Sequence, residues 1–245
     1  MQPAGADDTA ILREAVGLAA RHPELGWLQF RSFVGAHQYL RLYRLFRGYV
    51  PLGADVLDWG AGNGHFSYFL QRAGYRASGY SFSECTYRDT LPDPSYRFLE
   101  GDPNDPVSLP FQSSEFDAVT SVGVLEHVRE TGGDEAASLR EIVSLIELVA
   151  RRFPHKHHHK YRYARADIIA LMASAGMRLL EVKRYGILPR NVGHRLPAAL
   201  RRSQALAAGW NLVDLALAVP FSPVSQNYLL VAVKPGGPRE LPRAG

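Results

Sequence analysis

The stretch Val56-Leu57-Asp58-Trp59-Gly60-Ala61-Gly62-Asn63-Gly64-His65-Phe66 joins a short apolar run to a turn that contains three glycines. Val56 to Trp59 has the length and composition of a buried strand, and a helix is expected to begin at Phe66. Glycine lets the backbone turn tightly and approach a ligand where a Cβ atom would clash. The stretch therefore predicts a strand, a ligand-binding turn and a helix, in that order.

The spacing of these glycines excludes two common nucleotide-binding turns. A dinucleotide fingerprint, Gly-x-Gly-x-x-Gly, that starts at Gly60 needs a glycine where His65 stands. A P-loop ends in Gly-Lys-Ser/Thr, and that ending is missing. The spacing favours a nucleoside ligand without a pyrophosphate group. Asp58, at the strand end, is placed to orient the turn or to accept a hydrogen bond from a ligand amine.

Short apolar runs alternate with helical stretches after this turn. Such alternation predicts an α/β fold with a doubly wound, mostly parallel sheet. Further strands are predicted at 77–80, 96–99, 116–121, 177–184 and 228–233, and further helices at 134–152 and 164–175. Two helices, 8–20 and 25–49, are predicted before the first strand, and 196–219 is predicted to be a helical insertion before the last strand.

The predicted organisation is one ligand-binding core with additions on both sides. Residues 1–50 are expected to form an amino-terminal helical cap and residues 51–185 the core. Residues 186–227 are a basic and apolar helical insertion, 228–235 the closing strand and 236–245 a tail. We interpret the aromatic side chains of the cap as core packing, because amphipathic helices bury such a stripe.

The composition of the 245 residues, 46% hydrophobic and 21% charged, predicts a globular protein with a full core. The single cysteine, Cys85, excludes a disulfide framework and a thiolate metal cluster. The amino terminus lacks the cationic region of a secretion signal. Pro220 and Pro223 interrupt the longest uncharged stretch, so no membrane-spanning helix is predicted. We infer a cytoplasmic protein and leave peripheral contact with a membrane open.

Charge is divided unevenly along the chain, although the net charge is only +4. Residues 1–150 carry 12 basic and 20 acidic side chains, whereas residues 151–245 carry 16 basic and 4 acidic ones. One interpretation is an anionic partner for the second part, such as a phosphorylated substrate, a nucleic acid or an acidic lipid surface. The other is a solvated basic face that serves solubility.

The glycine turn and the segments after it resemble the class I S-adenosylmethionine-dependent methyltransferases. Asp58-x-Gly60-x-Gly62-x-Gly64 matches the first motif of that superfamily, and Glu100-Gly101-Asp102 resembles its adenine-contacting acid. Three segments resemble the fourth-strand block of the ubiquinone and small-molecule branch: Leu109-Pro110-Phe111, Phe116-Asp117-Ala118-Val119 and Val124-Leu125-Glu126-His127-Val128. The resemblance covers residues 52–185 and implies a Rossmann-like methyltransferase fold with S-adenosylmethionine as the cofactor.

The resemblance also implies a role for each matching residue of the two motifs. Gly60, Gly62 and Gly64 would approach the methionine and ribose portions of the cofactor. Asp58 would face its amino group, and Asp102 the adenine N6 atom. These five residues form the core of the expected cofactor site.

Other residues near the strand ends flank these motifs. Asn63 and His65 flank the turn near the expected carboxylate, and Phe82 either covers an adenine face or packs in the core. Ser81 stands where the family usually has an acid that binds both ribose hydroxyls. One hydroxyl cannot replace a bidentate carboxylate, so either the affinity is weaker or Glu84 substitutes from the next turn.

The chain departs from the family after the fourth strand. Family members continue into a Pro-Gly-Gly turn and a fifth strand, whereas residues 146–152 run directly into a His-rich segment, and about twenty expected residues are absent. Either residues 143–149 serve as a makeshift strand, or one helix runs through. We predict a single helix and a missing fifth strand because helical spacing is kept by Leu139, Ile142, Val143, Ile146 and Val149.

The predicted catalytic residues follow the fourth strand. Methyl transfer needs in-line positioning and, for a weakly acidic acceptor, removal of a proton. His127 is the first candidate for a general base and Glu126 the second, although His127 can instead cap or pack at a helix start. No metal is required. The histidine cluster at 155–159 is interpreted as solvent-exposed or as part of an anion site among basic residues, not as a metal site.

The predicted function is transfer of a methyl group to an oxygen or carbon atom of a small or lipid-linked acceptor. The insertion loosely resembles the extra region of methyltransferases that act on large or lipid-linked substrates; it is either core or an interfacial element on anionic lipid. The alternative function is a catalytically impaired protein of this fold that binds a lipid surface or RNA through its basic carboxyl-terminal half. Nucleic acid as the methyl acceptor is disfavoured because no RNA-binding or base-flipping motif is recognised.

Overall fold

The structure is a computed structural model that describes residues 7–124, 127–128, 133–154, 165–218, 220 and 227–234. Within these residues, seven strands form one sheet in the order β3-β2-β1-β4-β5-β7-β6. The strands are β1 Asp55–Trp59, β2 Arg76–Ser81, β3 Arg97–Glu100, β4 Phe116–Val122, β5 Ile146–Pro154, β6 Arg178–Tyr185 and β7 Asn227–Val233. Strands β1 to β5 are parallel, and β7 is antiparallel to both β5 and β6. The predicted doubly wound, mostly parallel sheet is confirmed.

Helices pack on both faces of this sheet. The described residues contain α1 Asp8–Arg21, α2 Phe33–Ala36, α3 Gln38–Tyr49, α4 His65–Ala73, α5 Thr86–Thr90, α6 Glu135–Leu145, α7 Arg165–Ser174, α8 Ala198–Arg201 and α9 Gln204–Ala218. Strand β1 alternates between the two layers: Val56 belongs to the apolar cluster of α1, α3 and α4, whereas Leu57 and Trp59 belong to the cluster of α6 and α7. This alternation decides which side chains of β1 lie on each face.

The fifth strand is present, so the prediction of its loss is wrong. Helix α6 ends at Leu145, and β5 begins at Ile146 and pairs in parallel with β4 from Phe116↔Ile146 to Val122↔Arg152. The predicted continuous helix over 134–152 is therefore wrong in its second half. Pairing explains the difference, because β5 satisfies backbone groups of β4 on one side and of β7 on the other. The apolar spacing that favoured a helix does not reveal these partners.

The amino-terminal cap contains more elements than predicted. Helix α1 confirms the first predicted helix, and the Asp7 carboxylate caps it by accepting hydrogen bonds from the amides of residues 9 and 10 at 3.0 and 3.1 Å. The single helix predicted over 25–49 is wrong: the 3₁₀ turn Pro23–Leu25 comes first, and the 3₁₀ turn Leu28–Arg31, α2 and α3 follow it. Gly26 ends the first turn with φ +67°, and Ser32 is extended and caps α2 through its hydroxyl. The expected core packing of the cap is confirmed by buried Trp27 and Phe30.

The predicted helical insertion before the last strand is present as α8 and α9. An ion pair fixes it, since the 1% exposed carboxylate of Asp214 accepts from Arg190 at 2.5 Å and from the amides of Ile187 and Leu188 at 2.8 Å each. The outer side of α9 is apolar and exposed, with Leu212 at 69%. Among the described residues no helix is long and apolar enough to cross a membrane.

Candidate active site

The glycine turn after β1 is fixed to the end of β2. The amides of Gly60 and Ala61 donate to the carbonyl oxygen of Tyr80 at 2.7 and 3.0 Å. Gly60 has φ +76°, and a Cβ atom there would lie 2.2 Å from Cγ2 of Val124. No side chain fits this position, so the turn brings bare backbone to the carboxyl edge of the sheet.

A cleft of about 420 Å³ lies at this edge, beside the glycine turn. The ends of β1, β2 and β4 and the segments after them form its walls, and its lining residues are Trp59, Gly60, Tyr80, Ser81, Phe82, Ser83, Pro106, Gly123, Val124, His127 and Val128. The chain continues from β1 to β2 on one side, while β4 lies on the other, so this is the switch point where open α/β sheets bind ligands. The volume is that of a small-molecule site.

The tip of β2 presents two hydroxyl groups to the cleft. Ser81 is buried, and its Oγ lies 3.2 Å from Oγ of Ser83. Both residues line the cleft, whereas the predicted substitute Glu84 is exposed and is not among the lining residues. The strand end where the sequence predicts the ribose contact therefore carries a pair of neighbouring hydroxyls. Sequence reasoning missed Ser83, although its spacing of two residues from Ser81 was visible.

Aromatic rings form the wall next to these hydroxyls. The rings of Phe82 and Tyr80 meet edge to face with their centroids 5.6 Å apart. A Cβ atom on Gly101 would lie 2.5 Å from the Tyr80 hydroxyl and 2.6 Å from the Phe82 ring. Only glycine therefore fits at this position, directly after β3, beside the two rings. Asp102 follows and is exposed, and its Oδ1 accepts from the amide of Asn104 at 2.8 Å. It is not among the residues that line the cleft.

Asp58 lies on the other face of β1, behind the turn. Its Oδ2 accepts a hydrogen bond of 2.6 Å from the Ser67 hydroxyl on α4. Oγ of Ser67 in turn accepts a hydrogen bond of 2.8 Å from the Tyr96 hydroxyl. Burial raises the pKa of Asp58 to about 7, and the bonds from Ser67 offset part of this effect. The carboxyl group thus ties α4 to β1 and supports the turn from behind. Its expected contact with a ligand amine stays a prediction.

The second half of the turn lies under the amino-terminal cap. The carbonyl oxygen of Asn63 accepts from Nε1 of Trp27 at 2.7 Å. The ring of His65 meets the rings of Phe30 and Tyr39 edge-on, with centroids 5.6 and 4.9 Å apart. Gly62 and Gly64 complete this part with φ +49° and +74°, and neither they nor Asn63 line the cleft. The cap thus packs on the glycine turn from the side away from the cleft residues, a contact that the motif alone does not reveal.

The predicted base His127 lines the cleft and is half-buried. Its amide donates to the carbonyl oxygen of Val124 at 2.8 Å, which holds the segment after β4 in a tight turn. Glu126 lies outside the described residues, and so do the histidines at 155–159. In the part of the chain that is described, no three His, Cys, Asp or Glu side chains are grouped to hold a metal ion.

Comparison with known proteins agrees with this geometry. Residues 57–147, from β1 to the start of β5, match the family described as a methyltransferase domain. No curated protein sequence matches the chain.

Solved structures share the fold over most of the chain. A putative methyltransferase in complex with the Haloferax volcanii Trm112 methyltransferase activator is 19% identical, with a TM-score of 0.57, over 91% of this chain and 98% of that one. An S-adenosylmethionine-dependent methyltransferase from Mesorhizobium loti is 15% identical, with a TM-score of 0.56, over 80% and 97%. A Haemonchus contortus phosphoethanolamine N-methyltransferase, in complex with phosphomonomethylethanolamine and S-adenosylhomocysteine, is 17% identical, with a TM-score of 0.53, over 81% and 52%. These likenesses confirm the Rossmann-like fold.

Proposed function

Because the chain contains a methyltransferase domain of the class I S-adenosylmethionine-dependent family, whose cofactor is S-adenosylmethionine, we propose that it methylates a small or lipid-linked acceptor. The observation that carries the proposal is the cleft at the ends of β1, β2 and β4 beside a turn that admits only glycine at Gly60. This is where a nucleoside with a sulfonium side chain meets both bare backbone and polar groups.

The residues of the cleft suit the adenosyl part of this cofactor. Ser81 and Ser83, with hydroxyls 3.2 Å apart, bind the two ribose hydroxyls in place of an acid. Phe82 covers a face of the adenine, and Asp102, on the segment that follows β3, accepts from its N6 amine. Gly60 brings bare backbone to the cleft, and the open space beside Gly62 leaves room for the ribose and methionine portions. Gly64 packs against Tyr87 and Cys85 and shapes the turn from inside.

The chain's own residues then orient the acceptor and remove its proton. S-adenosylmethionine, when bound, supplies a methyl group that is already activated by the sulfonium charge. His127, on the β4 wall of the cleft, takes the proton from an acceptor oxygen or carbon, and Glu126 follows it in the sequence as the second candidate. The amino-terminal cap, anchored by Trp27 on Asn63, keeps the turn rigid and excludes water from its far side.

A lipid-linked acceptor is supported by the exposed face of α9. Leu212, Val213 and Leu215 are 69%, 50% and 49% exposed on one helix, which is unusual for apolar side chains and suits contact with a lipid tail. Two observations weaken the alternative of an impaired relative. The fifth strand is present, and Ser83 adds a second hydroxyl beside Ser81.

Calorimetric titration of the purified chain with S-adenosylmethionine and S-adenosylhomocysteine tests the proposal. We expect binding to the wild type, and a loss of roughly tenfold in affinity for Ser81→Ala/Ser83→Ala, because two hydrogen bonds contribute about 0.5–1.5 kcal/mol each. Ser174→Ala, an exposed serine on α7, is the matched control. Absence of binding to the wild type would refute the proposed function, and equal affinity in all three proteins would refute the serine assignment.

A further inference from the structure

A second cavity, of about 700 Å³, lies between α1, the 3₁₀ turn Leu28–Arg31 and α8. We call it the arginine groove, because five arginines from these elements line it: Arg13, Arg21, Arg31, Arg201 and Arg202. It shares no lining residue with the cleft beside the glycine turn. The amino-terminal cap and the carboxyl-terminal insertion thus bring their cations together at a separate place.

No negative charge balances this groove within the described residues. Its lining residues include neither Asp nor Glu, and none of its arginines forms an ion pair with an acidic residue in the described part of the chain. The two acidic residues of α1 are used elsewhere, since Asp8 pairs with Arg47 and Glu14 with Arg72. Five guanidinium groups around one cavity repel one another, and a bound anion removes that repulsion.

The floor of the groove is apolar and shaped around the arginines. Buried Val16, Ala19 and Phe33 form much of it. A Cβ atom on Gly17 would lie 3.2 Å from Nη1 of Arg21, so the guanidinium group lies directly over this glycine. The groove therefore offers an apolar base with cationic walls, the arrangement that suits a phosphate attached to an organic group.

We propose that the arginine groove binds a phosphate-bearing ligand. Guanidinium groups pair with phosphate oxygens through two parallel hydrogen bonds, and several around one cavity can engage a single phosphate group from different sides. The ligand is either a soluble phosphate compound or the headgroup of an anionic phospholipid, which share this chemistry. The site is separate from the proposed methyl-transfer site, because it uses none of the cleft residues.

Two binding assays on the full chain test the proposal and separate the two sources. The first titrates the protein with inorganic pyrophosphate, and the second sediments it with phosphatidylcholine vesicles with and without phosphatidylglycerol. Arg201→Gln/Arg202→Gln removes the α8 wall, and Arg13→Gln/Arg31→Gln removes the opposite wall. The control, Arg140→Gln/Arg178→Gln, changes the net charge equally at exposed positions outside the groove.

We expect wild type and control to bind, and both groove variants to bind at least about tenfold more weakly, since each variant loses charge-assisted hydrogen bonds to the phosphate. Binding to pyrophosphate alone identifies a soluble ligand, and binding to phosphatidylglycerol vesicles alone identifies a headgroup; either supports the site. Failure of the wild type to bind in both assays overturns the proposal. So does equal weakening in the control, because the effect is then one of net charge. If one groove variant does not fold, the other decides.

Discussion

Replacing Asp58 with asparagine is expected to stabilise the protein above pH 7. The carboxyl group is only 1% exposed, and burial raises its pKa from 3.8 to about 7. Asparagine keeps an oxygen that accepts the hydrogen bond from Ser67, now 2.6 Å long, but it cannot ionise. The variant thus preserves the link between α4 and β1 while it removes the buried charge.

The size of the effect follows from the difference in proton binding. Between pH 3.8 and about 7 the folded chain holds a proton on Asp58 that the unfolded chain has lost. The free energy of unfolding of the wild type therefore falls by about 1.4 kcal/mol per pH unit in this window. Over the whole window the fall is about 4 kcal/mol. The variant has no such slope, so its advantage grows through the window and is complete above pH 7.

Urea unfolding at several pH values from 4 to 8, followed by tryptophan fluorescence, measures this difference. Asp55→Asn is the control. The hydrogen bond from Arg76 lowers the pKa of the partly exposed Asp55, so this carboxylate does not cause the fall in stability between pH 4 and pH 7. Its replacement leaves the pH dependence that comes from Asp58 in place. If wild type and Asp58→Asn give parallel curves between pH 4 and pH 7, the buried carboxyl group does not ionise as described and the reasoning is wrong.

Three further substitutions test the turn, the cap and the insertion. Gly60→Ala places a Cβ atom 2.2 Å from Val124 at a residue with φ +76°. The left-handed backbone conformation alone costs an alanine about 1–2 kcal/mol, so the turn must shift. We expect the affinity for S-adenosylmethionine, measured by calorimetry, to fall more than about tenfold; unchanged affinity would contradict this. Trp27→Phe removes the 2.7 Å hydrogen bond to the glycine turn and is expected to cost about 1 kcal/mol in urea unfolding, with no change expected if the bond is absent. Asp214→Ala leaves the buried guanidinium of Arg190 without its carboxylate. In urea unfolding, the free energy of unfolding is expected to fall by about 3–5 kcal/mol. A fall of less than about 1 kcal/mol would show that the pair does not fix the insertion.

Local sequence was sufficient for most of the sheet but not for β5. The strands next to the glycine turn are short, apolar and bounded by turn residues, so β1 to β4 follow from the pattern. Residues 146–154 carry apolar side chains that also fit a helix, and what makes them a strand is pairing with β4 and β7. The paired residues of β4 lie thirty positions earlier in the chain, and those of β7 lie more than seventy positions later. A window used to detect local periodicity contains neither set.

The same distinction holds for the candidate site. The cleft is lined by Gly60, Ser81, Phe82 and His127 because each ends or follows a strand of the parallel part of the sheet, and the carboxyl ends of such strands meet at one edge. The position of Asn63 depends instead on the amino-terminal cap, which folds back onto the turn from more than thirty residues away. That contact is tertiary, so the motif alone could not predict which part of the turn is open.

The last described strand, β7, lies between β5 and β6, both of which precede it in the chain. Along its length it pairs with both neighbours, from Val233 with Leu148 and Arg178 to Asn227 with Pro154 and Tyr185. During synthesis β5 and β6 thus leave the ribosome before the strand that joins them. Until β7 is made, the edge of each strand that pairs with β7 is open to pairing with other chains. A nascent polypeptide that ends before residue 227 therefore lacks the strand that pairs with these edges, which favours aggregation.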